Sequence, residues 1–133
     1  MRRITFLPFA LLAAFALSLG ATAAENLSPQ TSSQSGVTVK VTPRSFSGPA
    51  WEFEVVFDTH SQELSDDLLK SAMLVGERGS QAAPSAWQGD PPGGHHRKGV
   101  LSFDALKPAP AVLELRIQRP GESGPRVFRW TLR

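Results

Sequence analysis

From Val37 onward, apolar and polar residues alternate in short runs, and this alternation constrains the fold more than any other feature of the sequence. Val37, Val39 and Val41 fall on one face of an extended chain, and the run from Trp51 to Phe57 repeats the pattern with larger side chains. Successive side chains of a strand point to opposite faces of a sheet. Each run therefore predicts a strand with one buried face and one solvated face.

The same reasoning predicts seven short strands separated by turn-forming segments. They cover residues 37–42, 51–57, 71–75, 81–87, 100–103, 112–119 and 127–132. We expect the third and fourth strands to form one hairpin and the last two to form another. Ser65 is expected to cap a single helical turn that ends at Lys70. Many short strands without a long amphipathic helix predict an all-β fold, an antiparallel β-sandwich of immunoglobulin-like type, with a half-open barrel as the alternative.

Residues 1–24 have the order of a cleavable signal peptide. Two arginines precede an apolar run over residues 4–19, and the small residues that follow suit cleavage after Ala23 or Ala24. The apolar run is shorter than the roughly 20 residues needed to span a bilayer core. We therefore expect an exported protein, periplasmic or secreted, whose mature form has no membrane span.

The rest of the chain divides into a leader and one domain. Residues 25–35 are rich in Ser, Gln and Thr without apolar periodicity, which predicts a disordered leader. Residues 36–133 form the predicted sandwich domain, which is of ordinary size and able to bury a core. Because cysteine is absent, a disulfide framework, a thiol nucleophile and thiolate metal ligands are excluded.

Removal of the signal peptide changes the charge balance. Arg2 and Arg3 account for the formal net charge of +2, so the mature chain carries 12 basic and 12 acidic residues. Its largest basic cluster is Arg97-Lys98. Neither nucleic acid nor an anionic membrane is therefore expected as a partner.

Three histidines carry the candidate site. A D-T-H-S segment holds Asp58 and His60, and a Gly-rich loop predicted over residues 88–98 holds His95 and His96. Imidazole is a common ligand of zinc and copper, and a carboxylate can complete such a set. We therefore expect these four side chains to be the candidate ligands of a divalent copper or zinc ion. Adjacent histidines in an extended chain point to opposite sides, so one of the pair is expected to be a bystander.

A structural role explains the same histidines. A long loop rich in Pro and Gly has few ways to satisfy its backbone polar groups, and imidazole can both donate and accept hydrogen bonds. Arg97 is expected to pair with Asp58 or Asp90 in such a loop. On this interpretation the histidines only pin the loop. The domain is then a structural or protein–protein interaction module that contacts another envelope protein through a strand edge or the loop.

Catalysis is not expected. Asp58, His60 and Ser61 supply the residue types of a triad, but neighbours in one strand cannot form a nucleophile, base and orienting group, and no G-x-S-x-G segment is present. Asp66 and Asp67 are interpreted as the first turn of a short helix rather than a catalytic pair.

The two histidine segments also resemble a known family. D-T-H-S at residues 58–61 and G-G-H-H-R at residues 93–97 are similar to segments of small exported bacterial proteins that carry no assigned activity, and the likeness spans nearly the whole mature chain. The resemblance implies a small β-sandwich and directs attention to His60, His95 and His96, without implying what they do.

Overall fold

The computed structural model describes residues 27–133, so the expected signal peptide over residues 1–24 lies outside the described residues. Within the described range, nine strands and one short helix follow one another. They are β1 (Gln30–Gln34), β2 (Val37–Ser45), β3 (Ala50–Thr59), α1 (Leu68–Ser71), β4 (Ala72–Gly76), β5 (Gln81–Ala82), β6 (Ala86–Gly89), β7 (His96–Asp104), β8 (Val112–Ile117) and β9 (Arg126–Thr131). In residues 27–133 no helix has the length and apolar character needed to cross a membrane.

The strands form two antiparallel sheets. Sheet A has the order β1-β2-β3-β7-β6, and sheet B has the order β5-β4-β8-β9. The expected all-β fold is therefore confirmed, and its two sheets pack in the manner of a β-sandwich. The edge strands are β1 and β6 in sheet A and β5 and β9 in sheet B.

The core fills the space between the two sheets. On β2 and β3 every second side chain is buried, as the alternation predicts. Phe53 of sheet A packs against Trp130 of sheet B, with 5.4 Å between the ring centroids, and against Phe103 at 5.7 Å. Truncating a buried aromatic of this kind costs about 3–5 kcal/mol. Aromatic packing between the sheets therefore stabilises a chain that has no disulfide.

The expected disordered leader over residues 25–35 differs from the structure at Gln30–Gln34. These residues form β1, which pairs with β2 over five residues. Its side chains are polar because an edge strand needs no apolar face when side-chain hydrogen bonds hold it. Such a strand leaves no alternation in the sequence, which explains why the composition favoured disorder.

The expected hairpin of residues 71–75 and 81–87 is confirmed only as far as Ala82. β4 pairs with β5 in sheet B, but β6 pairs with β7 in sheet A. The chain crosses from one sheet to the other over residues 83–85, where Pro84 interrupts the apparent strand. The crossing makes β6 and β7 the hairpin that carries the predicted histidine loop.

Two local expectations need smaller corrections. The helix cap is Asp67 rather than Ser65, and its carboxylate accepts a hydrogen bond from the N–H of Leu69. β7 begins at His96, four residues before the predicted strand, so the loop between β6 and β7 contains only residues 90–95. The predicted loop over residues 88–98 therefore contains the ends of two strands, and His96 lies in a ladder rather than in a loop.

Candidate functional site

The turn over residues 90–95 is fixed to the end of β3 by main-chain hydrogen bonds. Asp58 lies opposite His96 in the ladder between β3 and β7. The N–H of Thr59 donates to the carbonyl of His95 at 2.9 Å. The antiparallel ladder therefore continues beyond the ends of both strands.

The turn is also bonded to the segment that follows β3. The N–H of Leu64 donates to the carbonyl of Gly94 at 3.0 Å, and the N–H of Gly93 donates to the carbonyl of Leu64 at 2.8 Å. Gly93 and Gly94 have φ angles of 119° and 72°, which residues other than glycine rarely adopt. The two glycines thus allow the sharp turn that aligns these bonds.

Two of the four predicted site residues are in direct contact. Nδ1 of His96 is hydrogen-bonded to Oδ1 of Asp58 on the outer face of sheet A. Both side chains remain more than half exposed, at 61% and 56% of their surface. The contact follows from the register, which places the two residues side by side on neighbouring strands.

His60 and His95 are exposed beside this pair. In the described part of the chain, no three His, Cys, Asp or Glu side chains lie close enough together to hold a metal ion. The structure thus joins Asp58 to His96, and it does not add His60 or His95 to make a complete ligand set. The copper or zinc site stays a prediction.

Arg97 lies in β7 and not in the predicted loop, which corrects the expected position of this side chain. Its side chain points into the interior and is 3% exposed. It pairs with neither the Asp58 nor the Asp90 carboxylate. Instead, Nη1 donates to the carbonyl of Asp66 at 2.6 Å, and Nε donates to the carbonyl of Asp90 at 3.1 Å.

The alternation of buried and exposed side chains along β7 indicates the interior position of Arg97. Leu101 and Phe103 are buried, and counting back two residues at a time leads through Gly99 to Arg97. The interior position was missed because residues 88–98 were interpreted as loop.

Trp87 of β6 covers the guanidinium of Arg97. Cζ of Arg97 lies 5.2 Å from the centroid of the Trp87 ring, and the indole N–H donates to the carbonyl of Asp90 at 3.0 Å. Gly99 provides the space for this ring, since a Cβ there would lie 2.5 Å from Trp87 Cζ2. The ring and the cation are therefore held together by the backbone around them.

A cleft of about 350 Å³ opens beside this pair, and we call it the Arg97 cleft. It is lined by Asp66, Asp67, Leu68, Leu69, Trp87, Pro92 and Arg97. Burial lowers the pKa of Arg97, while the negative charges of Asp66, Asp90 and Asp67 act in the opposite direction. The cleft thus combines a cation with an apolar wall from α1, β6 and the turn.

Asp66, at the wall of the cleft, belongs to a chain of buried ion pairs. Its two carboxylate oxygens accept hydrogen bonds from Nε and Nη2 of Arg119, both at 3.0 Å. Arg119 reaches Glu122 at 3.5 Å, and Glu122 accepts from Arg126 at 2.7 and 2.9 Å. The hydrogen bonds from Arg126 are the largest cause of the lowered pKa of Glu122. Two acids and two arginines therefore balance each other, and Arg97 stands outside the chain.

A second depression, of about 570 Å³, lies over the outer face of sheet B. Its charges are already paired. Glu114 accepts two hydrogen bonds from Arg116, at 2.8 and 3.0 Å, and two more from Arg129. The bonds from Arg129, then those from Arg116, lower the pKa of Glu114. Glu77 bonds to the N–H groups of Ala111 and Val112. These carboxylates have partners from the fold itself.

Comparisons of this chain with protein-family models, with curated proteins and with solved structures found no match. The resemblance to small exported bacterial proteins therefore stays an expectation from the two histidine segments.

Proposed function

We propose that this chain is a non-catalytic, exported interaction module of the cell envelope, with an immunoglobulin-like sandwich that presents the 90–95 turn to a protein partner. The observation that carries the proposal is the fixed position of that turn. Three main-chain hydrogen bonds and the contact between His96 and Asp58 hold it to the end of β3 and to the segment that follows β3. A loop that is ordered before binding loses little conformational entropy when a partner arrives.

The position of the histidines supports the same proposal. His95 contributes its carbonyl to the ladder while its side chain stays exposed. His96 bonds to Asp58 through one ring nitrogen. Holding the turn therefore leaves the imidazole of His95 accessible at its surface, where a partner can contact it.

Site-directed photo-crosslinking in cells tests this proposal. A photoreactive residue at position 95 is expected to yield an adduct of one discrete size in the exported fraction. The same residue at position 40, an exposed site on the outer face of sheet A, is the matched control. Asp58→Ala, which releases His96, should reduce the adduct from position 95. Equal adduct patterns from positions 95 and 40, or none from either, would contradict an interaction module.

A divalent copper or zinc site is the second candidate, and one contact favours it. Histidines that bind metals generally donate their other ring N–H to a carboxylate, which orients the ring. The contact between Asp58 and Nδ1 of His96 has this form and leaves Nε2 of His96 without a hydrogen bond to any residue within 27–133. Under this proposal Nε2 is a ligand, His60 or His95 supplies a second, and Asp58 orients or completes the set.

Calorimetric titration of the purified protein with Cu²⁺ and with Zn²⁺ tests the second candidate. His96→Ala should abolish saturable binding, and Asp58→Asn should weaken it by about 10- to 100-fold. His60→Ala and His95→Ala identify the second ligand. If the wild-type protein binds no more tightly than His96→Ala, the metal proposal is wrong.

A further inference from the structure

The buried charges of the described residues do not balance at the Arg97 cleft. Arg119 and Arg126 are matched by the carboxylates of Asp66 and Glu122. Within residues 27–133, no carboxylate oxygen lies within 4.0 Å of the Arg97 guanidinium nitrogens. A buried charge without a partner is costly. Two carbonyls, the Trp87 ring and the more distant charges of Asp66, Asp90 and Asp67 offset only part of this cost.

Not every N–H group of the Arg97 guanidinium makes a hydrogen bond within the described residues. Nε and Nη1 each donate to a carbonyl, but Nη2 donates to no group in the described part of the chain. The fully enclosed side-chain atoms without a partner, over residues 27–133, are Nε1 of Trp51 and Oγ of Ser71. Nη2 of Arg97 is not among them, so it retains access to solvent where Arg97 lines the cleft. A ligand oxygen can therefore reach it.

The opposite wall of the cleft is apolar. Leu69 is 48% exposed, and within the described residues only Val127, on another surface, is a comparably exposed large apolar residue. Trp87 and Pro92 continue the wall. An occupant that fits would place a negative group on Arg97 and an apolar side chain against Leu69 and Trp87.

The acids of the cleft limit the charge of the occupant. Both oxygens of Asp66 are bonded to Arg119. Asp67 is partly exposed, with one oxygen capping α1 and the other 3.9 Å from Lys70. Its negative charge at the rim disfavours multiply charged anions such as phosphate. A singly charged carboxylate is the anion that this arrangement favours, and guanidinium groups bind carboxylates with good geometry.

The neighbouring edge strand β6 indicates which kind of ligand bears the carboxylate. The N–H of Asp90 donates to the carbonyl of Lys98, so hydrogen-bonded pairs alternate along β6 and β7. By this alternation the backbone groups of Trp87 and Gly89 point away from β7. β6 is an edge strand, and an extended peptide can add to such an edge through these groups.

We propose that the Arg97 cleft binds the C-terminal carboxylate of an extended peptide whose last side chain is apolar. The carboxylate contacts Nη2 of Arg97, the apolar side chain packs on Leu69 and Trp87, and the peptide backbone lies along β6. The proposal rests on the interaction-module function above, since it names the chemistry that the module recognises.

The experiment uses two probes that differ in one group. An acetylated hexapeptide ending in leucine with a free carboxylate is titrated against the purified protein, and the same peptide with a C-terminal amide is the comparison. The indole N–H resonance of Trp87 reports binding by NMR. We expect saturable binding of the acid and affinity lower by about ten-fold or more for the amide.

Two variants with equal exposure form the matched pair. Leu69→Asp removes the apolar wall and adds a negative charge, so it should weaken binding of the acid by about ten-fold or more. Val127→Asp changes an equally exposed apolar residue on another surface and should leave binding unchanged. Arg97→Gln should remove the preference for the acid over the amide. If this variant fails to fold, the effect of Leu69→Asp on binding of the acid still tests whether the cleft is the binding site.

The proposal is overturned if acid and amide bind alike, if neither binds, or if Leu69→Asp binds like the wild type. These results would leave the interaction module standing as long as position 95 gives its discrete crosslink. Loss of the crosslink together with retained binding of the acid would instead contradict the module proposed above and keep the ligand chemistry of the cleft.

Discussion

On the side of the sandwich where β1 meets β9, a buried arginine joins the two sheets, and on the side where β6 lies beside α1, another buried arginine borders a cleft. Arg126 bonds the Glu122 carboxylate and also the carbonyls of Ser32, Gln34 and Val37. Arg97 bonds two carbonyls and no carboxylate. We call the first side the β1–β9 seam.

The difference separates a structural cation from one that can still take a ligand. At the β1–β9 seam, the guanidinium substitutes for ladder hydrogen bonds, and Glu122 neutralises its charge. At the Arg97 cleft, the guanidinium is buried against the Trp87 ring, and within residues 27–133 no carboxylate forms an ion pair with it. A substitution on one side leaves the other side as its reference.

Arg126→Ala should have the largest effect on stability. It removes five hydrogen bonds at the β1–β9 seam and leaves Glu122 buried with a poorer partner. Removing one member of a buried ion pair typically costs about 3–5 kcal/mol. Urea unfolding measures the free energy, and Arg44→Ala, which breaks an exposed pair with Glu52, is the control and should cost less than about 1 kcal/mol.

Arg97→Ala completes that comparison. It removes hydrogen bonds to two carbonyls but leaves no carboxylate unpaired, so the expected loss is about 1–3 kcal/mol. A loss for Arg97→Ala equal to or larger than that for Arg126→Ala would break the distinction between the two cations.

Lowering the pH should weaken the β1–β9 seam by protonating Glu122. Arg126 lowers the pKa of Glu122 below 4.5, its ordinary value. A carboxyl group with a lowered pKa in the folded state contributes stability above its unfolded value, and this stability is lost as the pH falls through the folded value. Urea unfolding across the acid range should therefore show a steeper loss in the wild type than in Glu122→Gln. Parallel curves would mean that Glu122 is not the acid-sensitive group.

Much of the fold follows from the sequence because burial imposes a period of two. The alternation around Val39 and Phe53 predicted the inner faces of β2 and β3, and it predicted two antiparallel sheets. β1 was not predictable in this way, since Gln30–Gln34 is held by hydrogen bonds that composition does not reveal. The crossing near Pro84 was missed because two short strands looked like one.

The candidate site was predictable only in part. The neighbouring positions of Asp58 and His96 follow once the strands pair, and the glycines before His95 indicated a loop. Whether His60 and His95 complete a ligand set depends on the bends after β3, which no periodicity fixes. The interior position of Arg97 depends on where β7 begins. The predicted strand started four residues too late, and this placed Arg97 in a loop.

Gly99→Ala should also perturb the Arg97 side. The added Cβ would lie 2.5 Å from the Trp87 ring and 2.8 Å from the carbonyl of Gln88. Because the ring must move, we expect a loss of about 1–3 kcal/mol and a shifted Trp87 indole resonance. Gly124→Ala, whose Cβ would meet nothing within 4 Å, is the control. An unchanged Trp87 resonance in Gly99→Ala would show that Gly99 does not provide the space for this ring.

Gln30→Ala should have the smallest effect, and it tests how the β1–β9 seam is built. The Gln30 amide accepts from the N–H of Arg129 at 2.8 Å and donates to the carbonyl of the same residue. The Gln30 side chain thus makes the two hydrogen bonds to Arg129 that the backbone of a neighbouring strand would otherwise make. Its loss should cost about 0.5–1.5 kcal/mol.

Hydrogen exchange at the Arg129 amide is the sharper measurement for this variant. The amide should exchange faster in Gln30→Ala and stay protected in Thr31→Ala, an exposed neighbour whose side chain makes no hydrogen bond within residues 27–133. Unchanged protection in Gln30→Ala would mean that Arg126 alone joins β1 to β9. In that case the β1–β9 seam would be held by the ion pair of Arg126 with Glu122 and not by hydrogen bonds that replace those of a ladder. This one ion pair would then be the whole difference between the seam and the Arg97 cleft.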